Sequence, residues 1–420
     1  MGRKIALIIL IVSAMLPLAS CFDAREIDSW AYVYTMGVDK GVSDKLRMTI
    51  QFLALKEQTG GGSQGGAQSA PGSDVKVITI DCPTFYSGVN MINSSLSRRI
   101  NYMHSKFFIV SQELAKEDIS SLMSAFVRDR QIRRTMHMIV VRGKADDFIN
   151  SFNPILGTAI SKTQEGIMDM QKITGLFEDT SFGNFIDDMK SDKIQPVGVL
   201  AGLNDFSHFQ QEGPQPEKFK TAGDYYAGEL PRNEGNKTEF FGTALFNGGK
   251  MIGELNGDET RALLMLKGKY GSGSYPISDP SQPKLVDTII IRQQKKPQIK
   301  ITFKNGKPVI NEKIFLEGDL QAVQSDTDFE SPAKKPILEK VVKEFIKKEL
   351  DKTISKCKSL NCDSFGFGEK ASLHFLTIQR WEGYRWLDHF KDSEITVKVE
   401  FIIRRTGTLI KTNKTIQSKE

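Results

Sequence analysis

The alternation of apolar and polar residues divides the chain into stretches of two different periods. Trp30 to Val38 reads as a strand, Asp39-Lys40-Gly41 has turn chemistry, and Leu46, Met48, Ile50, Phe52 and Ala54 alternate with mostly polar neighbours. These two segments are expected to pair as a hairpin, because a half-buried strand shows one apolar residue in two. Val75 to Ile80 is the next strand, and Pro83 opens a helix running to about Arg99. Phe107 to Val110 reads as a buried strand, Glu117 to Arg128 as an amphipathic helix and Thr135 to Val141 as another strand. From 144 to 191 the spacing is helical, with Phe148-Ile149, Ile167-Met168 and Phe185-Ile186 as the apolar staging points.

The second half is more regular. Phe240 to Phe246, Asn247-Gly248-Gly249 and Lys250 to Leu255 predict a hairpin, and Asn256 with Glu259 predicts a capping pair on a helix through Leu266. Val286 to Arg292, Gln298 to Phe303, the Asn305-Gly306 turn and Val309 to Leu320 read as an antiparallel meander. Ile337 to Cys357 is the longest helix, with Leu338, Val341, Val342, Phe345, Leu350 and Ile354 on one stripe and mostly lysine elsewhere. Gly366 and Gly368 permit a bend, Trp381, Tyr384, Trp386 and Phe390 anchor a short helix, and Ile395 to Ile403 alternates as a closing strand. The fold class expected is α+β, a multi-domain body in three parts with mixed and antiparallel sheets packed against helices. Its divisions are 21–200, an irregular linker at 201–235 rich in Gly, Pro, Glu and Gln, and 236–416. Residues 59–73 carry a Gly-Ser-Gln run without a large apolar side chain and are expected to form a mobile surface loop.

The first residues change the picture of where this body works. Arg3 and Lys4 precede an apolar run from Ile5 to Leu18, and Leu18-Ala19-Ser20-Cys21 ends it with small residues before a cysteine. Read as a helix, the run spans about 21 Å against a hydrocarbon core of about 30 Å, so a permanent spanning helix is the poorer reading. The pattern is that of a lipoprotein export signal, residues 1–20, with Cys21 as the lipid attachment site. Two acyl chains hold a protein to a bilayer durably, at about 0.8 kcal/mol per buried CH₂.

Composition adds a soluble, slightly basic character: 39% hydrophobic, 26% charged and a formal charge of +6, which cleavage after Arg3 and Lys4 lowers further. That charge is weak support for nucleic acid, and export past a membrane argues against it; a basic body beside anionic headgroups is the simpler account. Of four cysteines, Cys21 is consumed by lipid, and the remaining Cys82, Cys357 and Cys362 are an odd set. Cys357 and Cys362 straddle the end of the long helix: they can close a small loop, or diverge if both are helical. The adjacent acids Asp146-Asp147 and Asp187-Asp188 point apart on a helix and read as solvated faces. The five histidines are scattered, with His104 read as a core or packing residue, and Asp326 to Glu330 lacks the glycine and distal glutamate of a calcium loop. No catalytic, cofactor-binding or metal-ligating constellation is recognised, and a non-enzymatic role is expected.

One stretch carries a specific likeness. Ser97-Arg98-Arg99-Ile100-Asn101-Tyr102-Met103-His104-Ser105-Lys106-Phe107-Phe108-Ile109-Val110, with Gln112-Glu113-Leu114-Ala115 and Phe126 to Arg133, resembles the C subunit of bacterial spore germinant receptors. Cys21-Phe22-Asp23, Arg25-Glu26, Gly37-Val38-Asp39 and the run Asp363-Ser364-Phe365-Gly366-Phe367-Gly368-Glu369-Lys370 are similar to that family's start, strand end and last segment; Phe22 stands where the family has Trp. The resemblance implies a lipid-anchored receptor subunit on the outer face of the inner spore membrane, beside membrane-embedded A and B subunits that carry most of the nutrient binding. The alternative is a solute-binding lipoprotein of a transporter, which needs two similar parallel lobes around a cleft and fits poorly with the meander.

Overall fold

The structure is a computed structural model that describes residues 2–6, 29–54, 74–155, 159–214, 218–409 and 411–412. Two sheets packed with helices organise these residues into a multi-domain α+β fold. The first contains β1 (Trp30–Lys40), β2 (Leu46–Ala54), β3 (Asp74–Cys82), β4 (Arg99–Asn101), β5 (Phe107–Ser111), β6 (His137–Arg142), β7 (Val197–Leu203), β8 (Thr238–Asn247) and β9 (Lys250–Leu255). Its order is β3-β2-β1-β5-β6-β7-β8-β9, with the short β4 beside β1. Strands β1, β5, β6 and β7 run parallel, and antiparallel hairpins flank them at both edges.

Helices cover both faces of the parallel centre, which is why Phe107 to Val110 is apolar without alternation. Phe108 and Val110 join one core with the helices Phe85–Asn93, Ser120–Phe126 and Phe182–Met189; Phe107 and Ile109 join the other with Ala145–Ser151 and Ile160–Asp169. Two helices are shorter than the periodicity predicts. The one after Pro83 starts on a Thr84–Ser87 capping box and stops at Asn93, because Ser94 and Ser95 turn their hydroxyls back on the Met91 and Ile92 carbonyls at 2.7 and 2.9 Å. Arg99 then starts β4 instead of ending a helix. The Glu117–Arg128 segment is replaced by Gln112–Ala115 and Ser120–Phe126, separated where Asp118 accepts a hydrogen bond from the Ser120 amide at 2.9 Å.

The irregular stretch at 201–235 leads back into the same sheet, since Leu203 on β7 pairs with Thr238 on β8. Buried Glu239 pins it: its carboxylate accepts from Asn204 Nδ2 at 2.6 Å, Arg232 Nε at 2.7 Å and the Gly228 amide at 2.8 Å.

The second sheet contains β10 (Ser272–Ser278), β11 (Val286–Lys304), β12 (Lys307–Ala322) and β13 (Glu394–Arg405), in that order. The first three form an antiparallel meander, of which the sequence predicts β11 and β12 but not β10, and β13 adds parallel to β12. Asn305 and Gly306 sit at φ 51° and 76°, the left-handed pair that a tight hairpin turn requires. The two predicted segments of β11 are one strand, interrupted in register around Lys295. Helix Lys335–Ser359 covers the inner face through Leu338, Val342, Ile346, Leu350 and Ile354, while Val341 and Phe345 flank the buried stripe.

The sheets meet at two buried features. Helix Gly257–Leu266 is buried along its whole length, carries the predicted Asn256–Glu259 capping box, and binds the long helix through Lys356 Nζ, 2.6 Å from Glu259. Asp363 is the other. Its Oδ1 accepts from the Gly366 and Phe367 amides at 3.1 and 3.3 Å, and its Oδ2 from the Gly368 amide at 2.9 Å and Trp386 Nε1 at 2.8 Å. Its backbone exchanges hydrogen bonds with Gln195 at 2.7 and 2.9 Å, just before β7 of the first sheet. Trp381 Nε1 donates to Asp192 at 2.7 Å, so both tryptophans of the last segment bind this junction. Gly368 is required there, because a Cβ would lie 2.2 Å from the Lys193 carbonyl oxygen.

Glu312 stands alone on the inner face of β12, level with Ile299 on β11 and Val397 on β13. It is 2% exposed, and neither carboxyl oxygen has a partner among the described residues. Burial pushes its pKa from 4.5 up to about 9. The folded state therefore keeps a proton that the unfolded chain releases, so this group's contribution to stability is full below pH 4.5 and is lost as pH rises towards 9. Replacing Glu312 with Leu should remove that slope and stabilise the fold by about 1–3 kcal/mol at neutral pH, read from urea unfolding at pH 5 and 9. An unchanged pH dependence would place the titration elsewhere.

Burial pushes Asp363 up to about 6, still ionised at neutral pH, as four donors require. In Asp363→Asn one oxygen becomes an NH₂ facing two donors, and the variant should lose about 2–5 kcal/mol in denaturant unfolding. A loss under 1 kcal/mol would show that the junction holds without this carboxylate.

Candidate functional site

The parallel centre of the first sheet leaves a crevice beyond the carboxyl ends of its strands. After β5 the chain passes to the face carrying Leu114 and Phe126, and after β6 to the face carrying Ala145 and Phe148. Departures to opposite faces open the sheet edge where α/β proteins commonly bind ligands. The opening encloses about 660 Å³, with Asp39, Arg47, Ser111, Glu113, Lys116 and Lys144 among its lining residues.

Gly37-Val38-Asp39 ends β1 at this opening, which Asp39 lines. A Cβ on Gly37 would lie 2.5 Å from Ile149 Cδ1 and 3.3 Å from Ala145 Cβ, so glycine leaves room for helix Ala145–Ser151 to pack closely on β1. Two residues on, Asp39 caps that helix: Oδ1 accepts from the Ala145 amide at 2.8 Å and Oδ2 from the Asp146 amide at 3.0 Å. Burial raises the Asp39 pKa, and those amides with the Ser111 hydroxyl counter part of the effect. Around the mouth, Lys40 pairs with Glu117 at 2.9 Å, and Arg47 with Asp81 at 2.7 Å, which holds the Asp81 carboxyl far below its usual range. Lys116 and Lys144 are exposed on the rim. The lining offers charges of both signs and the Ser111 hydroxyl beside the Asp39 carboxylate, an arrangement suited to binding polar groups.

A second, smaller cavity of about 180 Å³ lies between the sheets, lined by residues that include Glu178, Thr180, Asp188, Lys267, Lys269 and Glu369. Glu178 and Lys267 form a buried pair at 2.7 Å, and burial pushes Asp188 up to about 6. Glu178 Oε2 and the Thr180 hydroxyl are buried without a hydrogen-bond partner among the described residues.

Cys21, the attachment site expected from the sequence, lies outside the described residues, as do the signal segment from residue 7 onward and the Gly-rich stretch 59–73. Cys82, Cys357 and Cys362 are free and buried. Cys357 and Cys362 are unbridged: Cys357 is inside the helix, the Cys362 amide bonds to the Cys357 carbonyl at 2.9 Å, and the Cys362 thiol turns to Ser364 Oγ at 3.0 Å. Burial pushes the Cys362 thiol up to about 12 and Cys357 in the same direction. The adjacent acids do not act as dyads. Asp146 accepts from the Thr79 hydroxyl at 2.9 Å and Asp187 pairs with Arg134 at 2.5 Å. His104 is exposed and meets Tyr32 edge-on at 5.0 Å, and His137 lies 2.5 Å from Asp179. Among the described residues, no group of His, Cys, Asp and Glu is arranged to hold a metal ion. The crevice itself was missed by sequence reading. Its only signal was Gly37-Val38-Asp39, whose partners lie about a hundred residues further on.

Comparison with known proteins agrees with this architecture. Residues 23–200 match the family described as spore germination protein N-terminal domain, and residues 241–407 match spore germination B3/GerAC like, C-terminal. Spore germination protein KC of Bacillus subtilis (strain 168) is 23% identical over 415 residues, covering 97% of both chains. Spore germination protein B3 of the same organism is 20% identical over 317 residues, covering 75% of this chain and 74% of its own. The crystal structure of the GerBC protein superposes with a TM-score of 0.52 at 15% identity, covering 88% of this chain and 96% of that one, and so shares the fold. With both family regions present in order, the chain belongs to the GerAC-like family of spore germination proteins, as a germinant receptor C subunit.

Proposed function

We propose that this chain is the non-catalytic, lipid-anchored subunit of a nutrient germinant receptor, held by acylated Cys21 on the extracytoplasmic face of the inner spore membrane. There it assembles with membrane-embedded A and B subunits. The observation that carries the reading is the end-to-end match to spore germination protein KC. Three physical features support it. None of the described helices is long and apolar enough to cross a membrane, and the sequence offers Cys21 after an export signal as the point of attachment. β1 begins at Trp30, and the chain from Cys21 to there reaches at most about 30 Å, which keeps the body at the bilayer. At such an effective concentration even a modest interface with a membrane partner is occupied.

The regions 21–200 and 236–416 are the working units of this reading, joined through 201–235. A transporter's solute-binding lipoprotein is the weaker alternative. It requires a second parallel lobe, whereas β10, β11 and β12 are antiparallel.

Cys21→Ala removes the thiol that acylation needs and leaves the sheets, which begin at Trp30, untouched. The expected result in spores is a protein washed from the inner membrane and a defective response to nutrients, with germination by treatments that bypass the receptor preserved. Normal membrane levels and a normal nutrient response in Cys21→Ala spores would overturn the proposal. Impaired solute uptake in growing cells with normal spores would favour the transporter reading.

A further inference from the structure

The segment after the bend at Gly366 to Gly368 leaves three large aliphatic side chains in water. Leu373, Leu376 and Ile378 are 78%, 87% and 72% exposed, in a unit whose other aliphatic residues are mostly packed. They sit on a firm base. Phe375 lies between them in sequence and turns inward, with ring centroids 5.4 Å from Phe303, 5.4 Å from Trp381 and 5.2 Å from Tyr384. Tyr384 Oη donates to the Gly306 carbonyl at 2.9 Å, fastening this segment to the tip of the β11–β12 hairpin. The tip itself presents exposed Lys304 and Lys307 on either side of the turn. Exposed Lys370 and Arg380 flank the aliphatic residues in sequence, and neither 370–380 nor 300–308 contains an acid.

From this juxtaposition we propose that the hairpin tip and the 373–378 segment form a prong that enters the surface of an anionic bilayer. Leu373, Leu376 and Ile378 pass into the acyl boundary, and Lys304, Lys307, Lys370 and Arg380 meet the headgroup phosphates. Apolar tips flanked by four exposed cations match an anionic interface. A second copy docking through the same patch would bring lysine against lysine, which opposes association. The aromatic base fixes the prong before contact, so little ordering entropy is lost on insertion. The inference rests on the reading that the chain works beside a membrane, and adds a second point of contact that makes no use of Cys21.

Leu376→Trp in the full chain tests it, because the new indole replaces a side chain that touches almost nothing. The probes are vesicles of phosphatidylcholine alone or mixed with phosphatidylglycerol, with brominated acyl chains, and the parent chain corrects for Trp30, Trp381 and Trp386. On the anionic vesicles the added emission should shift to the blue and be quenched by bromine, and Lys304→Glu with Lys307→Glu should abolish both effects. Unshifted, unquenched emission from chain that sediments with the vesicles would overturn the proposal. So would equal quenching on the neutral vesicles, or a blue shift without vesicles that grows with protein concentration, which would assign the patch to a second copy. Because the readout is local to residue 376, it separates failure of the prong from failure of the Cys21 anchor, which appears as loss of the whole chain from the membrane.

Discussion

The Asp363 carboxylate, enclosed among four hydrogen-bond donors, sets how the two sheets meet. A buried charge without partners costs several kcal/mol, so the surrounding segments must keep their donors on it or lose much of the stability of the fold. Those donors come from the bend at Gly366 to Gly368 and from the indole of Trp386, while the backbone of Asp363 itself holds Gln195 beside β7. The close approach at Gly368 and the stacked Trp381 and Trp386 rings at 6.0 Å belong to the same placement. The residues most reminiscent of the family in the last segment thus hold the two halves in register.

The strand-end motif solves the same problem inside the first sheet. Gly37 removes a side chain so that a helix can close on β1, and Asp39 supplies the acceptor that this helix needs at its start. One residue type creates room and the other satisfies what the room exposes. The crevice beside them follows from the chain leaving β5 and β6 on opposite faces. Two of the cations at its mouth are already paired, Lys40 with Glu117 and Arg47 with Asp81.

Local signals in the sequence were read well wherever the partner was near. The β1–β2 and β8–β9 hairpins, the Asn305-Gly306 turn, the Asn256–Glu259 cap and the long helix all rest on contacts within a few residues or on one unbroken periodicity. What was missed depends on distant residues. β10, with Ser, Gly and Pro among its residues, buries little beyond Tyr275 and Ile277 and is a strand because β11 pairs with it. The parallel seat of β13 on β12 needs the whole intervening helix to bring it round. The roles of Asp39 and Asp363 were hidden for the same reason: the sequence displays the acid, while its donors or its neighbouring strand lie far along the chain.

Strongly shifted carboxyls often mark catalytic centres, because catalysis needs acids and bases tuned away from their ordinary range. Here each of the clearest examples has a packing explanation. Asp39 is raised while capping a helix, Asp363 while joining two sheets, and Glu312 while isolated under a covering helix with no nucleophile or base beside it. The reactive-looking cysteines follow the same logic, since burial pushes the Cys357 and Cys362 thiols up, away from the thiolate form that attacks substrates. The unusual protonation states of these groups therefore arise from holding an architecture together. What the architecture leaves outward is surface for contact: a polar crevice at the strand ends, and aliphatic tips among lysines at the far end of a hairpin.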